Sequence, residues 1–213
     1  MHVITVPVTP FMQNARFITC NSTGKSAVVD PGGDTDKLLT IIKQQQLDIV
    51  CILLTHGHLD HVGAADELKA ILNVEIIGPH IDEKFWFDAL PMQSQMFGFA
   101  TKSTFYPDRW VTDQEQFRVG ELELEVRHCP GHTPGHVVFY HKPSSQVLVG
   151  DVLFKGSVGR TDFPKGDAAQ LKQSILEQLF TLPGDTLVLS GHGENTTIGY
   201  EKQHNPFMSG RFG

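Results

Sequence analysis

Cysteine is scarce in this sequence, with three in 213 residues. Cys20, Cys51 and Cys129 form an odd set without Cys-x-x-Cys spacing, which argues against a disulfide framework or a zinc ribbon and fits a reducing compartment. A cytoplasmic protein is expected. Long apolar runs are missing as well: the longest, residues 49–54, falls far short of the ~20 residues of a membrane-spanning helix. Residues 1–17 lack a basic region followed by an apolar one, so the sequence reads as a mature, soluble chain with no membrane partner. Positive charge is the third shortage. Acidic residues outnumber Lys and Arg by 24 to 17, and the formal charge of −7 repels polyphosphate and supplies no counterion release, which argues against a nucleic-acid partner. Low-complexity stretches, linkers and internal repeats are absent, so one domain over 1–213 is expected. Nothing in the sequence sets the oligomeric state.

Apolar residues make up 40% of the chain and charged residues 19%, with 20 Gly and 12 Pro, the balance of a compact, loop-rich globular protein. β-Branched stretches at 3–8, 16–20 and 26–30, separated by turn residues, predict short antiparallel strands. After the breaker cluster Asp30-Pro31-Gly32-Gly33-Asp34, the spacing of Leu38, Leu39, Ile41 and Ile42 predicts an amphipathic helix ending near Gln46. Residues 49–54 read as a buried strand and 62–69 as a helix. The aromatic-rich segment 79–110 has weak periodicity and reads as a short helix and a long apolar loop, with most of its aromatics in the core. Strand character resumes at 116–119, 122–127, 136–140 and 146–149, followed by a helix over 168–180 and a last strand at 186–190. β-Rich segments with interposed helices thus occur twice, consistent with two stacked sheets covered by helices.

The surplus is histidine, of which there are 11. His56-x-His58-x-Asp60-His61 puts four candidate ligands within six residues, directly after a core strand. His56 and His58 are two apart and point the same way on an extended segment, whereas Asp60 and His61 fall where the chain turns into a helix and are directed elsewhere. Later strand ends offer His132, Asp151 and His192, each with a glycine beside it. A carboxylate such as Asp151 can bridge two cations, and open positions for water point to catalysis. With no thiolate required, zinc, iron and manganese all suit the donors. His2, His80, His141 and His204 lack such company and are expected at the surface. Cys129, just before Pro130 at a strand end, is expected to be a packed thiol.

This order of His-x-His-x-Asp-His, His132, Asp151 and His192 resembles the metallo-β-lactamase fold superfamily, over nearly the whole chain. The resemblance implies an α+β fold, an αββα sandwich of two mixed β-sheets flanked by helices. It further implies that His56, His58 and His132 bind one metal, that Asp60, His61 and His192 bind a second, and that Asp151 bridges both. Two divalent ions are then expected, zinc first, with iron or manganese as alternatives. Asp30 matches the superfamily residue that orients a ligand imidazole.

Within the superfamily, Asp151 stands where true β-lactamases usually have Cys. The segment Leu153-Phe154-Lys155-Gly156-Ser157-Val158-Gly159-Arg160-Thr161-Asp162-Phe163-Pro164 resembles glyoxalase II, the hydroxyacylglutathione hydrolases that cleave S-D-lactoylglutathione. In that family the position of Arg160 is basic and binds the glycine carboxylate of glutathione, so Arg160, Thr161 and Asp162 are the expected substrate contacts, with Asp60 and Asp151 as catalytic carboxylates. The partner is then a small glutathione thioester. Only residues 193–213 follow the last candidate ligand, and Gly193-Glu194 stand where the family has a Tyr, so the match is to the short bacterial form that lacks the helical C-terminal domain. The competing expectation is a persulfide dioxygenase, which shares the Gly-Arg-Thr-Asp-Phe stretch and would hold one iron through His56, His132 and Asp151. A non-catalytic binding protein would be expected to have lost a ligand, and none is lost.

Overall fold

The computed structural model describes residues 1–209. Strands β1 (His2–Val8), β2 (Gln13–Thr19) and β3 (Lys25–Val29) run antiparallel. Helix α1 (Thr35–Gln44) then carries the chain to β4 (Asp48–Leu53), parallel to β3, and α2 (Leu59–Val62) and α3 (Ala65–Leu72) lead to β5 (Glu75–Ile77), parallel to β4. These five strands form one mixed sheet in sequential order. Helices α4 (Lys84–Asp88) and α5 (Leu90–Phe97) follow. The second sheet contains β6 (Gln116–Val119), β7 (Leu122–His128), β8 (Val137–His141) and β9 (Gln146–Gly150). Beyond a two-stranded hairpin, β10 (Leu153–Phe154) and β11 (Ser157–Val158), and helix α6 (Ala168–Ser174), it is completed by β12 (Leu187–Ser190) and β13 (Thr196–Thr197). Its order is β13-β12-β9-β8-β7-β6, antiparallel except for β12 beside β9. Helix α7 (Ile198–His204) closes the described chain.

Period-two alternation explains the layering. In β4, Cys51 and Leu53 enter a cluster shared with Phe117, Val126, Phe139 and Leu148 of the second sheet. The intervening Ile52 packs on the other face with Leu38 of α1 and Leu68 of α3. Because β4 is buried on both faces, its sequence is a continuous apolar run instead of an alternating one. β9 behaves likewise, with Leu148 between the sheets and Val147 and Val149 against Leu171 of α6 and Ile198 of α7. The result is the expected αββα sandwich of two mixed sheets. Truncating a residue such as Leu53, fully buried between the sheets, should cost about 2–5 kcal/mol.

Several elements differ from the sequence expectations. The segment read as a short helix and a loop contains two helices, α4 and α5, while the helix expected over 168–180 is present from Ala168 to Leu179, its last turn widened to a π-helix over Ile175–Leu179. β5, the β10–β11 hairpin, β13 and α7 were not expected. His141, expected at the surface, is buried and hydrogen-bonded to Ser144 Oγ at 2.6 Å. His80 does not stand alone: it stacks on His128 at 4.4 Å, with Nδ1 3.2 Å from Asp82. All three cysteines are free and buried, and burial pushes the Cys129 thiol up, away from ionisation. No described helix is long and apolar enough to cross a membrane.

Candidate metal centre

The seven residues singled out by their sequence order converge at one edge of the sandwich. His56 and His58 follow β4, and His58 is still extended (φ −71°, ψ 142°) as it precedes α2, whose first turn contains Asp60 and His61. The change from extended to helical geometry sends the two pairs in different directions. The turn also needs Gly32, where a Cβ would lie 1.4 Å from the Asp60 carbonyl oxygen. His132 lies in the loop between β7 and β8, Asp151 directly after β9, and His192 after β12. Gly191 lets the last of these approach, because a Cβ there would sit 2.2 Å from Asp151 Oδ1.

Two sets of donors result. His58 Nδ1 stands 3.1 Å from both His56 Nε2 and His132 Nε2. In the other set, His61 Nε2 is 3.4 Å from His192 Nε2, which is 3.2 Å from Asp60 Oδ2. Asp151 touches both, with Oδ1 3.3 Å from His61 Nε2 and Oδ2 3.6 Å from His192 Nε2 and 3.8 Å from His132 Nε2. Ligand nitrogens about 2.0–2.1 Å from a tetrahedral zinc would be about 3.3 Å apart, so both spacings suit a cation.

Outer hydrogen bonds fix where the ring protons lie. The Arg160 carbonyl, 2.7 Å from His132 Nδ1, can only accept, so that nitrogen carries the proton and Nε2 presents a lone pair. The same logic applies to His61 Nδ1 beside Asp30 Oδ2 at 3.0 Å and His192 Nδ1 beside the Phe11 carbonyl at 3.2 Å. Thr55 donates its hydroxyl to Asp30 Oδ2, leaving its oxygen to accept from His56 Nδ1 at 3.0 Å. In the neutral forms that ligate, His56 Nε2 and His132 Nε2 both turn lone pairs towards His58 Nδ1, His61 Nε2 faces His192 Nε2, and buried Asp151 Oδ1 receives no hydrogen bond. A cation in each set would resolve these contacts, so the residues fit the metal that their chemistry implies. Nitrogen and oxygen donors without sulfur suit zinc, iron or manganese.

Electrostatics separates the sets. Burial, reinforced by neighbouring imidazoles, holds His56 and His58 well below the usual histidine range, in the neutral form that ligates. Burial works against a charged His61 too, but Asp151 and Asp60 reverse it and hold that pKa well above the usual value. His192 is raised as well: burial opposes its charge, and the hydrogen bond to Asp60 and the charge of Asp151 outweigh it. For Asp151, burial opposes ionisation, yet His61, His192 and His132 keep its carboxyl far below the usual range. The second set is thus built to hold positive charge.

The family model of the metallo-β-lactamase superfamily matches residues 8–192. The chain belongs to that superfamily. It is 43% identical, over 99% of its length and 100% of the relative's, to hydroxyacylglutathione hydrolase GloC of Haemophilus influenzae. Among solved structures it resembles BLEG-1 B3 metallo-β-lactamase, with a TM-score of 0.90, 37% identity and coverage of 98% of this chain and 100% of that one. It also resembles TTHA1623 in a di-iron-bound form, with a TM-score of 0.87, 36% identity and coverage of 96% and 99%.

Beyond the superfamily's donor pattern lie residues that the sequence did not single out. Glu83 is fully buried and accepts from Gly57 N–H through Oε2 and from Gly135 N–H through Oε1, both at 2.8 Å. Gly57 separates His56 from His58, and Gly135 is in the loop that bears His132, so one carboxylate ties together the two loops carrying the three-histidine set. Glu83→Gln would place an amide N–H2 against one of those N–H groups. It should weaken cation binding at the three-histidine set by about 10–100-fold and leave the Asp60-His61-His192 set nearly unchanged. Stepwise competition with a chromogenic chelator reads the split, and equal weakening of both sets would refute the role. Burial raises the Glu83 pKa from 4.5 to about 7. Because the folded state holds this proton more tightly, the carboxyl's contribution to stability falls as pH rises from about 4.5 to 7, and Glu83→Gln should remove that slope from melting curves of the metal-free protein. His136 is another such residue: it stacks beneath His56 at 4.6 Å and accepts from Asp151 N–H at 3.1 Å. Its histidine was visible in the sequence, but its neighbours were not.

A cavity of about 540 Å³ opens above the donors. Of the expected substrate contacts, Arg160 lines it, whereas Thr161 and Asp162 do not. Asp162 instead grips Arg160 from the side, accepting from Nε and Nη2 at 2.6 Å each, and the guanidinium lies 4.1 Å over the Phe163 ring. Segment 79–110 divides between core and cavity: Phe87 is fully buried, while Phe85, Trp86, Met92, Met96 and Phe97 line the cavity.

Proposed function

We propose that this chain is a dinuclear metal-dependent thioester hydrolase that cleaves S-D-lactoylglutathione to D-lactate and glutathione, as in methylglyoxal detoxification, in the cytoplasm. The ions, zinc first, would be held by His56, His58 and His132 and by Asp60, His61 and His192, with Asp151 between them. All of 1–213 is read as one hydrolase domain, of which 210–213 lie outside the described residues. The observation that carries this reading is the pair of donor sets joined by Asp151 at the floor of an open cavity, in a chain 43% identical to a protein named for that activity.

Bound there, divalent cations supply Lewis acidity and bring the pKa of water towards about 7. The chain's own residues do the rest. Asp60, partly open to the cavity and 3.2 Å from His192 Nε2, is placed to take the proton of the attacking water. Arg160 keeps Nη1 free of Asp162, so it can meet the glycine carboxylate of glutathione without giving up its ion pair, and Asp162 steadies it from the side. No acid is needed for the leaving group, since a thiol of pKa about 8.5 departs as its anion. Arg160→Ala should raise KM for glutathione thioesters several-fold with kcat largely kept, and an unchanged KM would remove Arg160 from the substrate site.

Metal analysis joined to three assays on one preparation tests the reading. Two ions per chain and loss of the lactoylglutathione thioester are expected. Oxygen uptake with glutathione persulfide and a single iron, without thioester cleavage, would instead assign the chain as a dioxygenase. Opening of a β-lactam is the third assay, because of the likeness to BLEG-1; a β-lactam cleaved in preference to the thioester would reverse the assignment.

A further inference from the structure

The cavity's walls are far more apolar than a lactoyl group requires. Trp86 meets His58 edge-on at 4.4 Å, Phe163 lies 6.2 Å from Trp86 and 6.4 Å from Phe97, and Phe97 meets Phe11 edge-to-face at 5.7 Å. Met92 and Met96 extend the same surface from α5. These side chains stay wet: Phe97 is 39% exposed, Phe11 44%, Met92 52% and Met96 64%. Such a patch in a cavity is unfavourable unless something apolar covers it.

Polar recognition is correspondingly thin. Apart from candidate ligands, the polar side chains lining the cavity are Gln93, Ser157, Arg160 and Trp86, whose indole Nε1 has no partner but is itself buried. Gln93 is fully engaged, accepting from Leu59 N–H at 2.9 Å and donating to the Trp86 and Gly57 carbonyls at 2.9 and 3.2 Å. Ser157 Oγ points to the Val158 carbonyl at 3.5 Å. For the hydroxyl of a 2-hydroxyacyl group the cavity thus offers little beyond the weakly engaged Ser157 hydroxyl, against a much larger apolar wall.

The surroundings also give the cavity a direction. The Arg160 carbonyl positions His132 and the Phe11 carbonyl positions His192, so the loop that steadies one donor set presents a cation to the cavity and the loop that steadies the other presents an aromatic ring. A thioester carbonyl between the sets would have its charged thiol half towards Arg160 and its acyl half towards Phe11 and Phe97.

We propose that the Phe11–Phe97–Met96 side of the cavity is an acyl subsite, and that the preferred substrates are glutathione thioesters with an apolar alkyl or aryl acyl group larger than lactoyl. This rests on the thioester hydrolase reading. Each methylene that leaves water there should add about fourfold to kcat/KM until the wall is covered.

The test compares kcat/KM of the metal-loaded protein for lactoyl-, butanoyl-, hexanoyl- and phenylacetyl-glutathione. Hexanoyl and phenylacetyl thioesters should exceed lactoyl by tenfold or more, and Phe97→Ala and Phe97→Leu should lower the hexanoyl-to-lactoyl ratio, alanine more than leucine. A flat series, a lactoyl maximum, or a ratio unmoved by both variants would defeat the subsite while leaving thioester hydrolysis standing. Cleavage of none of the four would defeat the hydrolase reading and the subsite with it.

Discussion

Asp151→Ala should abolish paired metal binding and lower thioester hydrolysis by well over the roughly 10–100-fold that follows loss of even an outer partner of a metal ligand. Among the described residues Asp151 is the one carboxylate within 4 Å of both donor sets, 3.3 Å from His61, 3.6 Å from His192 and 3.8 Å from His132. Nothing can replace it. Gly191 and Gly159 press against it so closely that a Cβ on either would fall 2.2 Å from its Oδ1 or 2.0 Å from its carbonyl oxygen. Its removal also leaves His61 and His192 with Asp60 as their nearest remaining carboxylate at the cavity, so cations placed there would gain less neutralisation. Metal content and kcat/KM measured on the same sample check both effects. Asp151→Asn, which keeps the shape and loses the charge, should resemble alanine in metal content. A metal-replete, active Asp151→Ala protein would end the bridging assignment.

What could be read from the sequence depended on whether a residue's role was local. β4 was legible because a strand buried on both faces is an unbroken apolar run, and the His-x-His-x-Asp-His cluster because its donors are consecutive. Glu83 was not, since its meaning lies in two backbone N–H groups, at Gly57 and Gly135, that are remote in sequence and carry no side-chain signature. The α4–α5 segment was misread for a different reason. The faces that turn away from the core, with Met92, Met96 and Phe97, are apolar because they line the cavity, so the contrast that marks an amphipathic helix is lost. Two-residue strands such as β10, β11 and β13 are too short to display any period. The resemblance that pointed to Arg160 likewise gave no hint that Asp162 would grip it in a two-pronged ion pair, which leaves one face of the guanidinium for a ligand.

Asp30→Asn should disable both donor sets while leaving the fold intact, through protons instead of distances. Asp30 is buried, with φ +49°, a left-handed conformation that asparagine tolerates. Its Oδ1 accepts from Thr55 N–H at 2.8 Å, and its Oδ2 accepts from Thr55 Oγ1 at 2.6 Å and His61 Nδ1 at 3.0 Å. An amide nitrogen facing Thr55 N–H would leave a buried donor unpaired, at a cost of about 1–3 kcal/mol, so the nitrogen should take the Oδ2 place. From there it donates to His61 Nδ1, which forces the His61 proton onto Nε2, the atom facing His192, Asp60 and Asp151. It also turns Thr55 Oγ1 from donor to Asp30 into donor to His56 Nδ1, moving that ring's proton to the nitrogen facing His58. One substitution thereby removes a lone pair from each set. Metal affinity should drop by about 10–100-fold at each, with hydrolysis falling in step and the melting temperature of the metal-free protein nearly kept. Nitrogen chemical shifts of the His56 ring, which is neutral in the metal-free protein, report the exchange directly. An unaltered His56 tautomer would show that Asp30 acts by packing alone.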